Sequence, residues 1–566
     1  MVKKQIEEDL KKTISKLGYE SSDIVLSIPE NIDFGDYTTN VALQLSKQNL
    51  ANGEQSSVDI ASKILEKFGH PHYLERIEVA GPGFLNFFIK DELLIKNLGE
   101  SIKVEGGGNF KDKKFLIEYG HVNILKEVHI GHLRTFTIGE SMSRILEHLG
   151  AKVFRANYQG DVGLHVAKAI WGIKKIGIPQ KNLNLEKKAK FLGQAYAKGN
   201  KYYEQDPKVK LEIDKINKLL YENQDLELKQ LYDLAKKWSV EYFEPIYKLL
   251  GIKYDRCFFE SEVAEEGKHL VREHVGKVFK EDQGAIIFPG ENYNLHTRVF
   301  VTSVGHPTYE GKEIGLAKLE FDTFRYDQSI HIVASEQAGY FEVVIKAIEL
   351  IFPNLKGKKH HLSYGLVDLK EGKMSSRTGQ VVTIDQLVEL ISKQLKANIN
   401  SSKLAQDSKL INKIALGAIK FSYLKFSPKT NMVFDVDQSI SLSGDSGPYL
   451  QYTFARTQSI LKNASFLGHV TQNQLKKYDS LNQEERKVLR QLEYFDLIIE
   501  QSATNYQPNL ICGYLIELAK AFNLFYQMHP VIKSKQADLR LVLTKAVGEK
   551  IKLGLNLLGI EAPERM

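Results

Sequence analysis

The chain of 566 residues has only two cysteines, Cys257 and Cys512, far apart and without CxxC spacing. That excludes a disulfide framework, offers no zinc-ligand pattern, and fits a reducing compartment, the cytoplasm. No run of roughly eighteen apolar residues occurs, and the start of the chain lacks the pattern of a secretion signal. Neither a membrane span nor export is expected. Charge of one sign is also scarce: 77 Lys and Arg against 70 Asp and Glu leave +7. So mild an excess permits an RNA partner without demanding one. What is present, 43% hydrophobic and 26% charged residues, is the make-up of a globular protein. Its length allows about three or four domains.

The most informative stretch is 111–163. Residues 114–119 are apolar and β-prone, which predicts a buried strand. After a loop, Ile138, Met142, Ile145, Leu146 and Leu149 recur at helical spacing, and Gly150 stands where a helix ends. Residues 153–157 read as a second strand. This is a βαβ unit, with its crevice at the carboxyl end of the first strand.

At the strand-to-helix junction stand His129, Ile130, Gly131 and His132. A helix N-terminus attracts phosphate, and two histidines one turn apart can donate to its oxygens. Gly131, lacking a Cβ, lets a base or ribose approach the backbone. Such an arrangement suits attack of a carboxylate on the α-phosphate of a nucleotide. Alone, the pair could equally be two surface histidines. Further on, Lys373, Met374, Ser375 and Ser376 sit between Gly372 and Gly379. In this order HIGH and KMSS resemble the signature motifs of class I aminoacyl-tRNA synthetases.

Residues 1–109 form a leading module. Ile6, Leu10, Ile14 and Leu17 mark an amphipathic helix that Gly18 ends. The turn-rich segment 31–40 feeds a helix over 41–46, with Asp36 and Thr38 as candidate caps. The glycines at 106–108 form a linker. The tracts FGDYTTN and VAGPGFLNFFI together resemble the N-terminal additional domain of arginyl-tRNA synthetases, which touches tRNA; Phe34 is the candidate contact. The tracts PYLQYTFARTQSIL, YLIELAKAFNLFYQ and LLGIEAPERM resemble the family's helical anticodon-binding domain.

The fold implied is multidomain α/β. A class I Rossmann-like parallel-sheet catalytic domain spans 110–385, with a helical insertion at about 180–250 and the KMSS loop at about 372–379. A helical connection at 386–440 and an all-α anticodon-binding domain at 441–566 follow. There Tyr449, Gln451 and Tyr452 begin a helix that could stack on unpaired bases.

The resemblance assigns roles. Glu118, Asn123 and His129 keep the family's spacing. A carboxylate at a strand end suits a guanidinium, which pairs bidentately with it. Asn123 would take the substrate's α-amino or carboxylate group. Tyr309 and Glu313, one helical turn apart, and Gln337 complete the arginine set. For ATP the set is Gly131, His129, His132, Glu336, Lys373, Met374, Ser375 and Ser376, with Lys126 beside them. Catalysis would rest on His129, His132, Lys126 and Lys373. The sharing of work between the two lysines stays open. Where the family usually has Trp and Gln, this chain has Val162 and His165. The run 354–361 reads as a basic, solvated loop.

The function implied is ligation of arginine to tRNA(Arg). ATP brings Mg²⁺, no protein-held metal or prosthetic group is required, and a monomer is the default. Another class I synthetase, a non-catalytic RNA-binding paralogue and a simple nucleotidylyltransferase are the rival readings. The first should lack the Glu118 and Tyr309–Glu313 arrangement, the second the signature residues, and the third the helical tail.

Overall fold

The computed structural model describes the chain except for residues 1, 21–23, 30, 49–54, 102–107, 109, 180–182, 223–224, 371–381, 399–405, 466–474, 476 and 479. Two compact units emerge.

The first unit comprises Met1–Val104, Thr457–Phe495 and Glu517–Lys550. Helix α1 (Val2–Lys16) buries Ile6, Leu10 and Ile14, as the spacing predicts. Strand β1 (Tyr37–Thr39) is followed by α2 (Val41–Gln48), α3 (Ser57–Phe68), β2 (Leu74–Ala80) and β3 (Phe84–Ile89). The strands pair antiparallel in the order β1-β3-β2, with Thr38 opposite Asn86, so the two diagnostic tracts lie side by side. Asp36 is not a helix cap. It is buried, accepts from the Ile89 amide at 2.7 Å, and lies 2.6 Å from Arg490 Nε and 3.2 Å from Arg486. Thr38 instead donates to Asn86 Oδ1, and it is the hydroxyl of Thr39 that accepts the Val41 amide.

The second unit comprises Glu105–Arg456, Asp496–Ile516 and Ile551–Met566. Helix α4 (Asp91–Ser101) belongs to the first unit; the second unit's elements begin with β4 (Lys114–Glu118), α5 (Ile130–His148), β5 (Lys152–Gln159) and α6 (Leu164–Ile176). The insertion is three helices, α7 (Leu185–Gln205), α8 (Pro207–Glu222) and α9 (Leu226–Leu250). Next come β6 (Arg256–Phe259), α10 (Glu260–Glu273), a small antiparallel sheet of β7 (Lys280–Asp282), β8 (Ala285–Phe288) and β9 (Arg298–Val301), and α11 (Tyr309–Thr323). The unit continues with β10 (Gln328–Ala334), α12 (Ala338–Ile351), β11 (Lys359–Tyr364), β12 (Val367–Leu369) and α13 (Ile384–Asn398).

The main sheet is parallel, in the order β11-β10-β4-β5-β6. The chain runs from β4 outward to β5 in one direction and returns on the other side with β10. The order therefore reverses at the β4–β10 boundary, the place where open α/β sheets bind ligands. Under the sheet, Leu116, Phe258, Phe288, Phe300 and Ile314 join one apolar core. The run 354–361 is not a solvated loop throughout: β11 begins at Lys359, which is buried. A second departure is the parallel pairing of β12 with a strand at Met432–Phe434, inside the stretch expected to be helical. Beyond it the chain is helical at Gly447–Asn463, Gln483–Asn505, Asn509–Met528 and Ala537–Leu557. Among the described residues no helix is long and apolar enough to cross a membrane.

Candidate active site

The start of α5 is built by its histidines. His129 Nδ1 accepts the Gly131 amide at 3.1 Å, and His132 Nδ1 accepts the His129 amide at 3.2 Å. Each ring thus satisfies an orphan amide of the first turn and keeps its Nε2–H as a donor. A Cβ at Gly131 would come within 2.9 Å of the His129 ring, so glycine there lets the imidazole fold back over the helix. Burial pushes His129 down to about 4, with Lys126 nearby adding to the effect. Burial, then His129 and Lys126, hold His132 well below the ordinary histidine range. Both rings are neutral donors at pH 7.

Arg134, one turn further, is buried and donates to the carbonyls of Tyr423, Ser427, Pro428 and Thr430, which anchors α5 from behind. The chain leaving the KMSS segment is tied to the same place: Ile130 donates to the Val382 carbonyl, and His129 bridges Thr383. Lys373, Met374, Ser375 and Ser376 lie outside the described residues.

In front of α5 opens a cleft of ≈ 620 Å³, lined by Asn123, Lys126, His129 and His132, by α7 and by the first turn of α13. Lys126 lies 4.5 Å from the Tyr196 ring centroid. Asn123 Oδ1 stands where a Cβ on Gly160 would be, 2.1 Å away, so the residue after β5 must be glycine for Asn123 to hold its place. His165 packs there too, its Nε2 3.2 Å from the Gly160 carbonyl. Asp161 is fully buried and accepts from Tyr232, Lys236 and Ser261, joining α9 and α10 to this loop.

At the end of β4, Glu118 is 1% exposed and Glu313 of α11 is 6% exposed. Burial raises both carboxyls, and for Glu313 the charge on Glu118 raises it further. Two carboxylates sunk together in low dielectric want a cation. Glu118 has neighbours that sequence reading missed. His121 Nδ1 lies 3.3 Å from Oε1 and His331 Nδ1 3.1 Å from Oε2. The far nitrogen of His331 is 2.9 Å from Lys359 Nζ, which is 2.7 Å from Glu320 Oε2. Glu118, Glu320 and His331 come close enough to ligate a metal ion. The Lys359 ammonium, set against both Glu320 and His331, already gives that cluster its cation.

Tyr309 opens α11 and is 57% exposed, so it stands at the surface while Glu313, a turn later, is buried. Glu336 and Gln337 are exposed in a 3-10 turn just past β10. Phe34 is 51% exposed in the first unit. Tyr449 and Tyr452 are half-buried, and Tyr452 accepts from Arg456 at 3.1 Å. Gln451 does not face outward. It is fully buried against Gly417 and donates to the Glu561 and Lys413 carbonyls, a packing role that the sequence pattern did not reveal.

The family model described as "tRNA synthetases class I (R), catalytic domain" matches residues 96–436. "Arginyl tRNA synthetase N terminal domain" matches 2–89, and "DALR anticodon binding domain" matches 450–566. The chain belongs to the arginyl-tRNA synthetase family. Relatives named arginine–tRNA ligase include one from Treponema denticola, 32% identical over 96% of this chain and 95% of its own length. Another, from Clostridium perfringens, is 31% identical over the full length of both. The fold is that of the arginyl-tRNA synthetase from Thermus thermophilus, at a TM-score of 0.83, 24% identity and full coverage of both chains. In this arginyl-tRNA synthetase family member the catalytic-domain match runs through both halves of the sheet and across the HIGH motif.

Proposed function

We propose that the chain is an arginine–tRNA ligase. Arginine attacks the α-phosphate of ATP through its carboxylate, giving arginyl-adenylate and pyrophosphate. The acyl group then passes to the 3′-terminal adenosine of tRNA(Arg), releasing AMP. The observation that carries the reading is the pair of buried carboxylates, Glu118 at the end of β4 where the strand order reverses and Glu313 on α11, close enough that the charge on Glu118 raises Glu313.

In this reading Glu118 and Glu313 receive the guanidinium, with Tyr309 and Gln337 at the rim and Asn123 on the α-amino or carboxylate group. His129 and His132 donate Nε2–H to the phosphate oxygens where charge grows, while Lys126 and Lys373 add point charges. Glu336 accepts from ribose. Lysine, with the same charge and no fork, leaves two carboxylates poorly satisfied, so it is rejected without editing. Mg²⁺ arrives with ATP rather than on a protein site, the protein acts as a monomer in the cytoplasm, and Phe34, Tyr449 and Tyr452 meet tRNA. The domain division is the one the sequence suggests: 1–109, 110–385, 386–440 and 441–566.

ATP–pyrophosphate exchange with each of the twenty amino acids, with and without total tRNA, tests this. Exchange with arginine alone, and only with tRNA present, is the expected result. Exchange with another amino acid overturns the specificity. No exchange from folded protein that binds tRNA turns the reading to a non-catalytic paralogue.

A further inference from the structure

Behind Glu118 lies a chain of charged and polar groups drawn from separate elements. His331 comes from the middle of β10, Glu320 from the last turns of α11, and Lys359 from the first position of β11. All three are buried, with Lys359 8% and Glu320 0% exposed. Ordering a lysine in such a place is costly, since an ammonium leaves water only for a well-placed partner. Lys359 has two: Glu320 Oε2 at 2.7 Å and His331 Nε2 at 2.9 Å. His331 Nε2 therefore accepts from the ammonium, which leaves its proton on Nδ1, the atom 3.1 Å from Glu118. Lys359 donates to His331, and the opposite edge of the His331 ring lies in close polar contact with Glu118, 3.1 Å between Nδ1 and Oε2, without the alignment of a hydrogen bond.

We propose that Lys359, Glu320 and His331 act as a positioning relay that keeps Glu118 charged and aimed at the guanidinium, so that a lysine buried behind the site sets its affinity for arginine. This rests on the ligase reading above. The charge count supports it. Glu118, Glu313 and Glu320 place three carboxyls in one dry region, more than a single guanidinium neutralises. Lys359 is the resident counter-charge: it pulls all three carboxyls back toward ionisation against the effect of burial. Glu320 in turn holds the Lys359 ammonium above the ordinary lysine value although burial opposes it.

The other titratable groups around Glu118 do not compete for this role. From the loop after β4, His121 is held down to about 4 by burial, and His361 of β11, beside His331, is lowered likewise. Glu260 of α10 is already paired with Lys312 at 2.6 Å. The phenols of Tyr158 on β5, Tyr326 after α11 and Tyr340 on α12 are raised by burial and stay protonated.

The test uses the full-length protein with cognate tRNA, reading KM for arginine and for ATP separately by pyrophosphate exchange from about pH 6 to 9, with a melting curve for each variant. Lys359→Met is expected to raise the arginine KM about tenfold or more at neutral pH, to leave the ATP KM within about twofold, and to move the acid limb of arginine binding to higher pH. The sign follows because losing a cation makes the carboxyls harder to ionise. Glu320→Gln should move the same limb to lower pH, since the charge that Glu320 sets against Glu313 is gone while the amide oxygen can still accept from Lys359. The double variant, which deletes one charge of each sign, should return the limb close to its starting position. Lys359→Arg keeps the charge, should leave the limb in place, and serves where Lys359→Met does not fold. Arginine and ATP KM values rising together, or an acid limb unmoved in both single variants, overturns the relay. Wild-type protein that exchanges with no arginine overturns instead the ligase reading beneath it.

Discussion

His331 stands opposite Glu118 in the parallel ladder between β10 and β4, with its Nδ1 3.1 Å from a Glu118 oxygen. In a strand successive side chains face opposite sides, so a slip of one residue would turn either group away. The geometry of the carboxylate is thus written into strand register rather than into a loop. The carboxylate has its buried polar neighbours in place before substrate arrives, which spares the ordering cost on binding.

The first consequence concerns Glu118 itself. Glu118→Gln keeps the shape and the contact with β10 but removes the charge that pairs with a guanidinium. The arginine KM should rise about 10- to 100-fold, the worth of a charge-assisted bond, with the ATP KM unchanged. Pyrophosphate exchange in the presence of tRNA measures both. An unchanged arginine KM sinks the role.

The histidines of the first turn of α5 make a different demand. His132→Ala should lower kcat about 100- to 1,000-fold with little change in arginine KM, because a donor aimed at growing charge acts in the transition state. It should also cost about 1 kcal/mol of stability through the lost cap. Since burial holds His129 down to about 4 and His132 well below its ordinary value, kcat should show no limb near pH 6.5. A limb there, abolished by either substitution, would mean that the rings work as cations.

Much of this was legible in the chain, for physical reasons. The βαβ unit showed because Leu116, Ile138, Met142 and Ile145 are buried at the periods their elements impose. The HIGH turn showed because phosphate chemistry at a helix start admits few residue types. Lys359 did not show: in a run with Lys356, Lys358 and His360 it reads as one more solvated base, and its partner Glu320 sits on a helix brought near only by the sheet. Gln451 misled for the reverse reason. It follows Tyr449 in a motif that looks RNA-facing, yet the lack of a side chain at Gly417 draws it inward. Asp36 resembled a cap because its true partners, Arg486 and Arg490, lie some 450 positions away in sequence.

That pairing within the first unit makes a stability prediction. Asp36→Asn removes the charge facing the buried Arg490 and the half-buried Arg486 while keeping most of the volume. Breaking one side of a buried ion pair costs about 3–5 kcal/mol, well beyond a surface change. Chemical denaturation followed by circular dichroism should show the first transition moving to lower denaturant. Arginine-dependent exchange, read on protein that remains folded, should be affected far less than by Glu118→Gln. A shift within about 0.5 kcal/mol of wild type would mean that the arginines find other partners.

His165 yields a prediction with a sign that pH controls. Burial, and then the charge of Lys126, press it down to about 3, against an ordinary value of 6.5. Between those two values the unfolded chain takes up a proton that the folded chain refuses. Stability therefore falls as pH drops below about 6.5, by at most about 1.4 kcal/mol per pH unit for this one group. His165→Gln deletes the titration, and an amide can still donate to the Gly160 carbonyl that His165 Nε2 now faces at 3.2 Å. Above about pH 7 the variant and the wild type should differ by a constant set by packing alone. From about pH 6 to 4 the variant should gain on the wild type by about 1 kcal/mol per pH unit, read as the difference between their urea denaturation curves at each pH. A difference that stays level across that range would mean that His165 charges as readily in the fold as in water, and that the loop after β5 opens to let it.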